Sequence, residues 1–102
     1  MRILVIGAGA FGTALASRLA ADNKSVTLWV PKKTQREKIN STRINQVYLP
    51  GVKLPENLST TGNLASASKE SNLVLLCIPA QKTKNFLEKN KNAFSKRSTF
   101  VL

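Results

Sequence analysis

Gly7, Gly9 and Gly12 stand at the spacing G-x-G-x-x-G, inside the run Ile6-Gly7-Ala8-Gly9-Ala10-Phe11-Gly12-Thr13. Each glycine has a separate use in holding a phosphate. Gly7 permits a tight turn, Gly9 lets an anion approach the backbone, and Gly12 lets a following helix pack close to the preceding strand. The spacing alone is weak, because glycines also recur in ordinary turns. Its flanks strengthen it. Arg2-Ile3-Leu4-Val5-Ile6 reads as a short buried strand, and a helix opening at Ala10 offers free N–H groups and a positive dipole end to a pyrophosphate.

The second position to inspect lies about 20 residues further on, where an NAD-specific site places Asp or Glu against the ribose hydroxyls. Here the run is Trp29-Val30-Pro31-Lys32-Lys33, with no acid until Glu37. Two lysines there attract a 2′-phosphate, which favours NADP(H) and leaves NAD(H) possible; alternatively they merely begin an exposed helix. Phe11 is either core packing or an aromatic wall beside the cofactor. Pro79-Ala80 either brings backbone close to the nicotinamide-side ribose or only stops a strand. The cofactor-binding candidates are therefore Gly7, Gly9, Ala10, Phe11, Gly12 and Thr13 in the turn, Pro31, Lys32 and Lys33 after the second strand, and Pro79.

Chemistry beyond binding is hard to find. The chain has no histidine, no Ser or Cys nucleophile with a base beside it, and no metal-ligand spacing, so neither a catalytic nor a metal residue is assigned. The single cysteine, Cys77, excludes a disulfide framework and reads as a small buried core residue in a reducing compartment.

The elements that must position these residues alternate. Strands are expected at 2–6, 25–30, 58–61, 73–78 and 99–102, ended in two cases by Pro31 and Pro79. A helix over 10–21 carries Phe11, Leu15 and Leu19 at four-residue spacing, with Ala14 and Ala16 as small contacts. Further helices are expected at 34–40, 63–69 and 82–94, with a turn at Asp22-Asn23-Lys24 and a long loop over 41–57. This order predicts an α/β, Rossmann-type doubly wound parallel sheet in one domain over 1–102, with right-handed crossovers. Ligands bind such sheets beyond the carboxyl ends of the strands, so 7–12, 30–33 and 79–81 should share one edge.

Composition agrees with a folded domain. Of 102 residues 42% are hydrophobic, too many for a disordered chain, and no apolar run approaches a membrane span. The first residues are too short a run for a signal peptide, so a cytoplasmic location is expected. Sixteen Lys and Arg against five Asp and Glu give a net charge of +11. That excess fits an anionic partner, and a solvated basic face is the plainer reading of the thickest cluster, Lys82 to Arg97; nucleic acid is not expected.

Taken together, these residues resemble the N-terminal domain of bacterial NAD(P)-dependent glycerol-3-phosphate dehydrogenase. The resemblance rests on residues 6–16, on Val26-Thr27-Leu28-Trp29, on Tyr48-Leu49-Pro50-Gly51-Val52-Lys53-Leu54-Pro55, on Thr60-Thr61 and on Ile78-Pro79-Ala80. The Tyr-Leu-Pro-Gly segment is its specific part. The resemblance implies reduction of dihydroxyacetone phosphate, a small phosphorylated substrate, to glycerol 3-phosphate for phospholipid synthesis. It implies a homodimer for the full-length enzyme, and Ala10, Phe11, Pro31 and Lys32 as contacts to the nicotinamide dinucleotide. Ala10 replaces a usual Ser and Pro31 a usual basic or polar residue. The family's helical substrate domain, with its catalytic lysine, is absent, so this piece is expected to be inactive alone. Other readings are a ketopantoate- or 6-phosphogluconate-type cofactor domain, or a stand-alone nucleotide- or anion-binding module.

Overall fold

The computed structural model describes residues 1–22 and 24–94, and the backbone of 99–101. Five strands are present: β1 (Arg2–Ile6), β2 (Ser25–Trp29), β3 (Leu58–Thr61), β4 (Leu73–Leu76) and β5 (Thr99–Val101). They form one sheet in the order β3-β2-β1-β4-β5, and every pairing is parallel. Four helices connect them: α1 (Ala10–Ala21), α2 (Lys33–Thr42), α3 (Leu64–Glu70) and α4 (Ala80–Lys89).

Both faces of the sheet are covered, and the pleat decides which residue goes where. Ile3 and Val5 of β1 join Val26, Leu28 and Val30 in one core layer, closed by Ala16 and Ala20 of α1 and Ile39 of α2. Leu4 and Ile6 point the other way, toward Val74, Leu76, Leu64 and Ala67, with Trp29, Phe86, Leu87 and Phe94 packed against that layer. Trp29 and Phe86 are tilted against each other with ring centroids 5.5 Å apart. The register aligns the strand ends: Ile6 pairs with Trp29 and with Leu76, and Trp29 pairs with Thr61. Gly7, Val30, Gly62 and Cys77 therefore leave the sheet at one edge.

The expected strands and helices are found among the described residues, with adjustments. The buried stripe of α1 is Gly12, Thr13, Ala16 and Ala20; of the expected contacts Ala16 is buried and Leu19 partly so, whereas Phe11 and Ala14 are exposed. Small side chains win that face because they let the helix axis approach the strand, whereas Phe11 is 71% exposed. Cys77 lies one residue past the end of β4, its N–H donating to the Ile6 carbonyl at 2.8 Å, and is only partly buried. The helix expected over 82–94 ends at Asn90, whose N–H donates to the Phe86 carbonyl, and a 3₁₀ turn (Lys91–Ala93) follows. Asn23, Ser95 to Ser98 and Leu102, which belong to the expected turn, basic cluster and last strand, lie outside the described residues.

The segment 41–57, read as a featureless loop, is tied at several points. Helix α2 runs on to Thr42 and stops at Arg43, which adopts φ 61°. A left-handed arginine costs about 1–2 kcal/mol. Its guanidinium is nonetheless tied down, Nη2 donating to the carbonyls of Pro55 and of Leu58, the latter at 2.7 Å. The Arg43 carbonyl accepts from the Leu54 N–H at 2.7 Å, and the Asn45 carbonyl from the Leu49 N–H at 2.8 Å.

Candidate cofactor-binding site

The glycine turn is built by close contact. Gly7 has φ 119°, and a Cβ there would collide with the Cys77 carbonyl. A Cβ on Gly12 would collide with the Gly7 carbonyl, so the first turn of α1 sits against the end of β1 only because that position is glycine. Gly9 differs: a Cβ on it would meet nothing within 4 Å. The space over Gly9 is open, which is what a backbone approached by an outside group requires.

Gly9 is also the N-cap of α1, with no side chain bonded to the helix start and no acid in its first turn. The Thr13 N–H already donates to the Gly9 carbonyl at 3.0 Å. The N–H groups before it belong to the unpaired donors that every helix start presents. Helices α2 and α4, which begin at the same edge, likewise have no capping side chain and no acid in their first turns. By contrast α3 is capped, the Asn63 side chain accepting from the Ser66 N–H at 3.0 Å. Three bare helix starts at one strand edge, with lysines nearby, make an anion-favouring surface.

The sequence candidates fall on this edge in distinct ways. Ala10 and Phe11 open α1 and are exposed; the exposure of Phe11 removes the core-packing alternative. Pro31, Lys32 and Lys33 are exposed after β2, with Lys32 the N-cap of α2. Lys33 Nζ lies 3.9 Å from Glu37 Oε1, an exposed pair. Pro79 is the exposed N-cap of α4. Thr13 is the correction: it is 0% exposed, so it lies beneath the turn rather than facing a ligand. Its hydroxyl donates to the Ala8 carbonyl at 3.3 Å.

Three residues here escaped the sequence reading. Asn45, 1% exposed, donates from Nδ2 to the Ala8 carbonyl and to Thr13 Oγ1, both at 2.9 Å. Its Oδ1 accepts from Gln35 Nε2 at 3.4 Å. Asn45 therefore clamps the glycine turn from a segment more than 30 residues away. Arg43 holds that segment in place. Arg36, partly buried, donates from Nη1 to the Val30 carbonyl at 2.8 Å, at the end of β2. No periodicity marks these three; only a polar residue inside an otherwise unpunctuated stretch could have hinted at them. The partly buried Cys77 thiol under Gly7 and Gly12 is pushed up in pKa by burial, so it stays protonated at neutral pH and is a poor nucleophile.

Comparison with known proteins bears on the family and the fold. The family described as NAD-dependent glycerol-3-phosphate dehydrogenase N-terminus matches residues 2–102. The chain belongs to that family. A relative from Anaplasma phagocytophilum, named glycerol-3-phosphate dehydrogenase [NAD(P)+], is 39% identical over 92 residues, covering 90% of this chain and 28% of that protein. Another of that name, from Leuconostoc mesenteroides, is 36% identical over 101 residues, covering 99% and 30%. The glycerol-3-phosphate dehydrogenase structure from Coxiella burnetii superposes with a TM-score of 0.87 at 25% identity, covering 97% of this chain and 30% of that one. The chain thus spans about 30% of the length of these relatives. The match sets aside the ketopantoate and 6-phosphogluconate alternatives. Among the described residues, no helix is long and apolar enough to cross a membrane.

Proposed function

We propose that this chain holds NADP(H), in preference to NAD(H), as the cofactor-binding part of an enzyme that interconverts dihydroxyacetone phosphate and glycerol 3-phosphate in the cytoplasm. The observation that carries the reading is the open space over Gly9 at the bare start of α1. The residues fit the pyrophosphate: backbone N–H groups to donate, no competing carboxylate in the first turn, and no Cβ in the way. Bound nicotinamide supplies the hydride. The chain's own residues position it: Gly7 and Gly12 shape the turn, Thr13 and Asn45 hold its Ala8 carbonyl, and Ala10 and Phe11 face outward beside it. Preference for the 2′-phosphate rests on the missing acid after β2 and on the cations that stand at that edge in its place.

Reduction of a ketone also needs a proton donor near the substrate, and the chain has no histidine to serve. We assign that step, the site for the phosphorylated substrate and the homodimer contacts to the remaining part, about 70%, of the relatives' length outside this match. The test is thermal melting with added NADPH or NADH. Ligand at 100 times its Kd stabilises by about 2.7 kcal/mol, so a rise in Tm is expected with either and a larger one with NADPH. No rise at millimolar levels, together with salt-dependent retention on nucleic acid, would instead favour an anion-binding module.

A further inference from the structure

We propose that Arg36, rather than Lys33, is the residue that reads the 2′ position of the cofactor's adenosine ribose. The inference rests on the dinucleotide reading above and deepens it. In doubly wound sheets the end of the second strand faces that ribose, and a nearby arginine accommodates a 2′-phosphate. The question is which of the cations at this edge is already held there.

Lys33 is not. It is an exposed side chain whose Nζ lies 3.9 Å from Glu37 Oε1, so part of its charge is already answered. Arg36 is held from both sides. Its Nη1 donates to the Val30 carbonyl at 2.8 Å and reaches the Pro31 carbonyl at 3.5 Å, which fixes the guanidinium over the end of β2. On the other side it lies against Gly62 at the end of β3, where a Cβ would strike the guanidinium, so glycine provides the room. Gly62 is in turn held by Trp29, whose indole Nε1 donates to its carbonyl at 3.4 Å.

The rest of the guanidinium is uncommitted. Among the described residues Arg36 has no carboxylate partner, and its Nε and Nη2 make no hydrogen bond. Neither atom is fully buried. An arginine anchored by one nitrogen keeps its Nε–Nη2 edge as a planar fork, which matches two oxygens of a phosphate as a lysine ammonium cannot. Because the anchoring bonds already restrict the side chain, less rotamer freedom is lost when the phosphate arrives.

The test compares 2′,5′-ADP with 5′-ADP by calorimetric titration, alongside NADH. In the parent chain 2′,5′-ADP should bind more tightly. Arg36→Gln should weaken 2′,5′-ADP by about tenfold or more, the scale of losing hydrogen bonds to a charged group, and leave 5′-ADP within about twofold. Arg36→Lys, which keeps the charge and lacks the fork, should recover part of that loss and covers the case in which the glutamine variant does not fold. Lys33→Ala should leave the ratio of the two affinities unchanged. Equal weakening of both nucleotides by Arg36→Gln, or a ratio that follows Lys33 instead, would overturn the assignment. A parent chain that binds neither NADH nor the two nucleotides refutes the dinucleotide reading itself.

Discussion

Replacing Asn45 tests whether the glycine turn is held from outside. The side chain is 1% exposed and makes two donor bonds at 2.9 Å, to the Ala8 carbonyl and to Thr13 Oγ1. Each is worth about 1 kcal/mol net, so Asn45→Ala should cost about 2 kcal/mol. The Thr13 hydroxyl still reaches Ala8, which keeps that carbonyl from being wholly orphaned. For a domain of this size that is a fall in Tm of about 8–16 °C. Asn45→Asp is the sharper variant. It keeps the shape, removes both donors and sets a buried carboxylate against a carbonyl, so its loss should exceed that of alanine and shrink in mild acid, where the carboxyl protonates. Paired with Thr13→Val in a double-mutant cycle, the alanine change should be non-additive, since the two side chains share a bond. Both Asn45 variants melting within about 2 °C of the parent would refute the clamp.

Four further outcomes follow. Phe11→Ala removes an exposed ring, so stability should stay within about 0.5 kcal/mol of the parent while dinucleotide affinity falls. Gly12→Ala should cost at least about 1–3 kcal/mol in denaturant unfolding, because its Cβ meets the Gly7 carbonyl, a rigid backbone atom. Lys33→Ala breaks only an exposed pair and should change stability by less than about 0.5 kcal/mol in the same experiment. Cys77 should alkylate more slowly than a free cysteine at mildly alkaline pH, since burial raises its pKa, and urea should restore the ordinary rate.

How much of this was legible before the fold was seen differs by residue. The strands and the turn were, because short apolar runs and glycines report directly on burial and backbone geometry; Ile3 to Ile6 and Gly7 to Gly12 lie where periodicity put them. The stripe of α1 was misjudged in part because large apolar residues usually mark the buried face, whereas here close approach favours Gly12, Ala16 and Ala20. Asn45, Arg43 and Arg36 were invisible for a different reason. Their partners lie from five to more than 30 residues away along the chain, and a hydrogen bond to a distant carbonyl leaves no periodic trace. The Tyr48–Pro55 segment pointed to the family, but not to the backbone bonds that tie it down, such as Leu49 to Asn45 and Leu54 to Arg43.

The most direct test of the turn as a dinucleotide site is calorimetric titration of the parent and of Gly9→Ala with NADPH, with melting measured on both. Nothing in the fold meets a Cβ at Gly9, so the variant should melt with the parent. Its affinity should nonetheless fall by about tenfold or more, because the added methyl occupies the space a phosphate must enter. Equal affinity in the two proteins, or no binding by the parent at millimolar NADPH, would contradict the account.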